Sequence, residues 1–150
     1  MFTANQKISE ALAVLATYDP ASVGASTVTT GWVDASIFFY LLAILQTGVM
    51  GASGTIDAKL QQASDSSGTG AKDITGKALT QIVKATGDNK QAMISIKSAD
   101  LDTEGGFRWV RLSITVGTAA SLLSAQLLGG VARFNSAAAY NQAGVAQIVG

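Results

Sequence analysis

The chain has 150 residues, with ten lysines and arginines balanced by ten aspartates and glutamates, and it contains neither cysteine nor histidine. This length fits one domain, zero net charge argues against a nucleic-acid partner, and the missing residue types exclude disulfides, thiolate or imidazole metal sites and a Ser-His-Asp triad. Hydrophobic residues make up 48% and charged residues 13% of the chain, so part of its surface is expected to meet another protein.

The N-terminal segment has a weak helical pattern. Ile8, Leu12 and Leu15 stand at helical spacing, so residues 5–17 form either a short amphipathic helix or an extended arm, and Pro20 ends the segment in both cases. No small-residue cleavage site follows the short apolar stretch, so the segment does not have the pattern of a secretion signal.

The longest apolar run is "IFFYLLAIL", residues 37–45. A membrane helix needs about 20 apolar residues, so this run is too short to span a bilayer and no membrane partner is expected. Because it is apolar at odd and even positions alike, the run predicts a central strand that is covered on both sides.

The middle of the chain predicts further strands. Apolar and polar residues alternate in three segments, as in half-buried strands: residues 55–61, 91–97 and 108–116. Met93 interrupts the polar side of the second segment. Residues 122–128 predict a last long strand, and residues 79–83 a shorter one.

Strands that are separated by glycine-rich turns, without long helical segments, predict an all-β protein with an antiparallel, jelly-roll-like β-sandwich. The chain is read as one domain with a core over residues 22–133. Residues 1–21 and 134–150 are read as extended or short-helical arms. Deleting residues 1–18 is therefore expected to leave a folded sandwich with weaker binding to its partner.

The stretch "SSGTGAKDITGKALT", residues 66–80, superficially resembles a phosphate-binding loop. A Walker A loop has four residues between its glycines and a hydroxyl residue after the lysine. Here Gly70 and Gly76 enclose five residues, and Ala78 follows Lys77. The stretch is therefore predicted to be a turn between two strands.

The acidic residues give no strong catalytic or metal signal. Asp100, Asp102 and Glu104 alternate in "DLDTEGG", but the complete calcium-loop pattern is missing, so a solvated turn is expected. Asp65 and Asp73 are likewise expected to lie in a solvated turn and not in a metal site. A hydrolase would need convergent carboxylates in a pocket, and nothing in the sequence selects such a pair.

The aromatic residues leave a carbohydrate-binding function open. Such rings can stack on sugars, although in sandwiches they more often belong to the core; they are Trp32, Trp109, Phe107, Tyr40 and Tyr18. Arg108 and Arg111 flank Trp109 and are expected to make a salt bridge or a cation–π contact.

Residues 30–135 contain "GTIDAKLQQASDSSGTGAKDITGKALTQI", then "GGFRWVRLSITVG" and "LLGGVARF". This order of patterns resembles a family of small structural proteins of tailed bacteriophages, of the capsid decoration or cement type. The resemblance implies a non-enzymatic virion protein without a cofactor, which binds the lattice of the major capsid protein. It also implies assembly in the bacterial host cytoplasm, residence on the capsid surface, and self-association such as a trimer.

The large apolar residues of the two arms are the candidate partner contacts: Phe2, Ile8, Leu12, Tyr18, Phe134 and Tyr140. No catalytic, cofactor-binding or metal-ligating residue is assigned. The alternatives are a tail or connector protein, and a carbohydrate- or receptor-binding module on the virion.

Overall fold

A computed structural model describes residues 5–150, and this part of the chain is built almost entirely from strands. The strands are β1 (Leu12–Val23), β2 (Ser26–Thr29), β3 (Val33–Asp34), β4 (Phe38–Met50), β5 (Thr55–Ala63), β6 (Lys72–Ala78), β7 (Ile82–Val83), β8 (Gln91–Lys97), β9 (Trp109–Gly117) and β10 (Ser121–Ala132). The single-turn helices are α1 (Ile8–Ala11) and α2 (Lys84–Gly87), and 3₁₀ turns cover Ala35–Ile37, Ser98–Asp100 and Ala137–Tyr140. No helix within residues 5–150 is long and apolar enough to cross a membrane.

The strands form two antiparallel sheets. Sheet A has the order β1-β10-β4-β8. Sheet B has β9 and β5 at its centre, with β2 and β3 along the edge of β9 and β6 and β7 along the edge of β5. When each short pair is counted as one interrupted strand, eight strands form the double Greek key of a jelly roll. The predicted all-β antiparallel sandwich is confirmed.

The alternating segments provide the core of sheet B. β5 and β9 pair from Thr55 opposite Gly117 to Ala63 opposite Trp109. Their inward side chains, which include Leu60 and Ile114, are fully buried. Burial of such a side chain contributes about 1.5–3 kcal/mol. The three alternating strand predictions are confirmed, and so is the long strand predicted at residues 122–128, which lies within β10.

The apolar run at residues 37–45 forms most of β4, in the middle of sheet A. Only one of its faces is covered. Leu41, Ala43 and Leu45 are buried in the core, whereas Tyr40 on the opposite face is 55% exposed. Coverage on both faces was therefore a wrong prediction, because a two-layer sandwich leaves the outer face of each sheet uncovered within the monomer.

The stretch at residues 66–80 is only partly a turn. Its second half contains β6, an edge strand of which Ile74 is the one buried side chain, so the sequence carries almost no alternation there. The strand predicted at residues 79–83 is correspondingly reduced to the two residues of β7.

The N-terminal boundary differs from the predicted one. Residues 12–23 form β1, an edge strand that pairs with β10 from Leu12 opposite Gly130 to Val23 opposite Ser121. Pro20 does not end the segment, since it sits at an irregularity between Tyr18 and Ala21 on an edge strand, where a missing N–H is tolerated. The helical part of the segment is the single turn α1.

The C-terminal segment folds back on β1. The Val14 amide donates to Asn141 Oδ1 at 2.7 Å, and the Gln142 amide donates to the Val14 carbonyl at 2.8 Å. Ala137 is buried, and the Tyr140 ring packs edge-to-face on Phe38 with 5.5 Å between centroids. Part of the open edge of β1 is thus covered by the chain itself, as edge strands require.

Candidate functional site

The outer face of sheet B is polar and internally neutralised. Lys59 Nζ lies 2.7 Å from Asp73 Oδ2, and Arg111 Nε donates to Gln61 Oε1 at 3.0 Å. Gln81 Nε2 likewise donates to an Asp57 carboxylate oxygen. Pairs of this kind on a wet surface contribute about 0–1 kcal/mol each, but they keep the face hydrated.

The outer face of sheet A is almost free of charge. Asp19 and Lys97 are the only charged residues in its four strands. The register places apolar side chains on this side, interspersed with uncharged polar ones such as Gln126, Ser124 and Gln46. We call the apolar side chains of this side the apolar face: Leu12, Val14, Tyr40, Leu42, Ile44, Met93, Leu122 and Leu128. A surface of this composition indicates a protein contact.

A groove of about 630 Å³ runs across one end of the apolar face. Leu12, Tyr40, Leu42 and Leu128 line it, and Gly130 leaves the gap between them because it has no side chain. At its rim Val131 has φ 54°, a left-handed conformation that costs a β-branched residue roughly 1–3 kcal/mol.

A second group of apolar side chains lies on the segments before β1 and after β10. We call it the terminal cluster: Ile8, Phe134, Ile148 and Val149. Ile8 and Ile148 line the same shallow groove beside β1, and Ser136 Oγ donates to the Glu10 carbonyl, which ties the two segments together. Val149, Phe134 and Ile8 are 86%, 81% and 70% exposed, the highest values for large hydrophobic residues in the described part of the chain.

In the glycine-rich loop before β6, backbone amides donate to a carboxylate of the same loop. Asp65 Oδ1 accepts the amide hydrogens of Ser67 at 2.9 Å and Thr69 at 3.1 Å, and the Gly68 amide donates to the Asp65 carbonyl. A phosphate cradle needs such amides to face the ligand. Because a carboxylate of the loop already occupies them, the phosphate-like sequence pattern is explained by a turn.

The acidic turn "DLDTEGG" is neutralised by lysines. Asp102 pairs with Lys72 and accepts the Gly105 amide, while Asp100 lies 3.3 Å from Lys77 Nζ and accepts the Lys97 amide. Among residues 5–150, no group of three or more acidic side chains is placed to share a metal ion.

Loss of stability at low pH is expected from these carboxylates. Hydrogen bonds and lysine partners hold the pKa of five aspartates below the ordinary value of 3.8: Asp65, Asp73, Asp88, Asp100 and Asp102. A lowered folded-state pKa stabilises the fold above pH 3.8, and this stabilisation is lost as the pH falls through the lower folded values. Urea unfolding at pH 6 and at pH 3 should show a lower midpoint at pH 3, and equal midpoints would contradict the assignment.

Most of the aromatic residues considered for sugar stacking are engaged within the fold. The Arg111 guanidinium carbon lies 4.5 Å from the Trp32 ring centroid, and Lys72 Nζ lies 4.1 Å from that of Phe107. Trp109 is half-buried beside Arg108, which also pairs with Asp34. Arg108 therefore makes both expected kinds of contact, whereas the cation–π contact of Arg111 is with Trp32 and not with Trp109.

The other two aromatics of that set lie in sheet A. Tyr18 packs against the core, while Tyr40 is exposed on the apolar face. The neighbours of Tyr40 there are mostly apolar, whereas sugar hydroxyls require several polar partners beside a stacking ring.

The candidate partner contacts separate into three groups. Ile8 and Phe134 are exposed in the terminal cluster, and Leu12 lines the groove of the apolar face. Tyr18 and Tyr140 pack against the core. Phe2 lies outside the described residues.

The sequence-based assignment missed most of the apolar face, although two signals for it were visible. Met93 breaks the polar side of an otherwise alternating strand, and the run at residues 37–45 is apolar on both sides. Both features place hydrophobic side chains on the outer surface of sheet A.

No protein-family model matches the chain, and no curated protein sequence matches it. Among solved structures it is similar to a CBM4 structure, with 13% identity and a TM-score of 0.44 over 75% of this chain and 66% of that one. It is also similar to a chain of Broad Bean Stain Virus (13% identity, TM-score 0.39, 71% and 57% covered) and of the Cowpea mosaic virus top component (12%, 0.38, 78% and 80%). These likenesses concern the β-sandwich fold and identify no family.

Proposed function

We propose that the protein is a non-enzymatic structural component of a bacteriophage virion, a head decoration protein that binds the assembled lattice of the major capsid protein. It is made in the host cytoplasm and comes to lie on the outer capsid surface. The sequence patterns quoted from residues 30–135 support this assignment, as does a jelly-roll body whose acidic side chains are largely engaged by lysines and amides.

The observation that carries the proposal is the terminal cluster. The most exposed hydrophobic side chains sit on the segments outside the sandwich strands, where Ile8 and Phe134 can insert into a partner without any change in the sandwich. Aromatic and aliphatic anchors of this kind supply most of the binding energy when they enter pockets on a partner.

Such a protein stabilises the shell by mass action. A ligand that binds the assembled lattice and not its separated subunits adds about 2.7 kcal/mol at one hundred times its dissociation constant. This role needs neither a nucleophile nor a metal. It needs a rigid fold and contacts of about 800 Å² per partner.

Binding to bare capsids tests the proposal. Purified protein added to shells that lack it should bind saturably, with a copy number near that of the major capsid protein, and should raise the melting temperature of the shells. The double variant I8S/F134S should bind at least about tenfold more weakly and keep its own melting temperature, because both side chains are exposed. V83S, at an exposed valine of β7 on sheet B, is the matched control and should bind normally.

Two results would redirect the assignment. A few copies per virion would indicate a tail or connector protein rather than a head decoration protein. Glycan binding that is lost in W32A, with folding retained, would favour the carbohydrate-binding alternative.

A further inference from the structure

We propose that the apolar face binds a second copy of this chain, sheet A against sheet A, around a two-fold axis. This contact goes beyond the proposed attachment to a shell. On its β1 side the apolar face adjoins the terminal cluster, because Leu12, Val14 and Leu128 line the same shallow groove as Ile8 and Ile148. The five ion pairs among residues 5–150 all lie outside the strands of sheet A: Lys59–Asp73, Lys72–Asp102, Lys77–Asp100, Lys84–Asp88 and Arg108–Asp34.

The distribution of charge favours a second copy as the occupant. In a face-to-face two-fold contact the same patch meets itself, so a charge near the axis would meet a like charge. In the strands of sheet A the charged residues are Asp19 and Lys97, each on one of its two edge strands, which keeps them away from the centre of the sheet. The cation beside the groove is Arg133, after the end of β10, whose guanidinium carbon lies 4.2 Å from the Phe39 ring centroid. A face with few charges offers little to select a partner of complementary charge.

The size of the face is also sufficient. The four strands have 12, 13, 7 and 12 residues. At about 3.4 Å per residue and about 4.8 Å between strands, the sheet covers roughly 700 Å². Stable specific interfaces bury about 800 Å² per partner. Two copies of the face therefore match the area that a stable dimer needs.

The face carries both a projecting side chain and a groove. Met93 projects from β8 and is 66% exposed, whereas the groove over Gly130 lies on the opposite side, between β1 and β4. A two-fold axis along the strands brings β8 of one copy over β1 of the other. Each Met93 then lies over β1 of the partner at the level of Gln126, four residues along β10 from Gly130, and sheet-on-sheet packing of this kind tolerates an angle of about 30°.

The shell is a less suitable occupant of this face. Interfaces between permanently associated copies are more apolar than those between proteins that also exist separately. A protein that adds to a finished shell must first exist free in solution, where an uncovered apolar sheet of this size would promote aggregation. Pairing with a second copy covers the face from the time of synthesis.

The first test is the mass of the full-length protein in solution, measured by light scattering and native mass spectrometry. The unaltered protein should have the mass of two copies at micromolar concentration. M93D should weaken association by roughly 30-fold or more, because it places two carboxylates in the dry contact. V83D, an exposed valine on sheet B, should remain dimeric. Equal melting of the two variants at high dilution would show that M93D still folds.

Cross-linking provides a second and independent readout, because the chain has no cysteine of its own. Q126C, on the outer side of β10 near the middle of the face, should form a disulfide-linked dimer under mild oxidation. T115C, exposed on β9 of sheet B, should not.

Several results would overturn the proposal. They are a monomer at about 100 μM, a three-copy mass that M93D leaves unchanged, or equal cross-linking of Q126C and T115C. A monomer whose binding to shells is lost in M93D would place the shell on the apolar face. In that last case the decoration function would stand and the dimer would not.

Discussion

Removal of residues 1–18 is expected to abolish cooperative folding. The deletion takes away the part of β1 that covers one side of β10, including the buried Ala13 and Ala16, and it removes Val14, to which the C-terminal segment is hydrogen-bonded. Because domains of this size are stable by only about 5–15 kcal/mol, loss of a core-covering strand removes most of that margin. Thermal unfolding followed by circular dichroism should lose its sigmoidal transition.

A shorter deletion is the control for this experiment. Removal of residues 1–7 ends before α1 and leaves β1 in place, so the melting temperature should change little. If the deletion of residues 1–18 instead keeps the transition of the full chain, the segment is an arm, as we expected from the sequence, and β1 is not needed for folding.

Replacement of Phe38 by alanine is expected to destabilise the fold by about 3–5 kcal/mol. The side chain is 2% exposed, its ring packs on Tyr140, and it fills the space that the missing side chain of Gly129 leaves. Truncation therefore leaves a cavity between the two sheets and loosens the C-terminal segment. Chemical denaturation should show a lower midpoint with a similar slope.

The neighbouring residue supplies a matched control. Phe39 has the same side chain and is 43% exposed, with the Arg133 guanidinium 4.2 Å from its ring centroid. F39A should cost no more than about 1 kcal/mol, the scale of a surface cation–π contact. Equal losses for F38A and F39A would mean that the position of the Phe38 ring in the core is wrong.

The two outer faces of the sandwich differ in polarity. Sheet B places Lys59, Asp57 and Arg111 in water, whereas the charged residues of sheet A are confined to its edge strands. In both sheets the inward side chains are mostly apolar and buried. The difference between the two sheets therefore lies in their outward residues.

The local sequence pattern was sufficient to predict the strands that have one buried and one solvent-exposed face. At residues 55–61 and 110–116 a period of two identifies both the strand and its buried side, because burial of one face is a local property of an alternating sequence. Pattern failed for β6 and β1. These are edge strands whose residues make few core contacts, and the alanines of β1 give little hydrophobic signal.

The sequence by itself determined the fold class, the absence of cysteine and histidine chemistry, and the failure of the phosphate-loop pattern at Lys77–Ala78. Only the tertiary structure decided that the Asp65 carboxylate accepts amide hydrogens of its own loop. It also decided that residues 12–23 belong to the sandwich and that one side of the run at residues 37–45 faces outward. The physical reason is that periodicity reports which residues share a face of a strand. Which face is covered depends on the packing of strands that are distant in the chain.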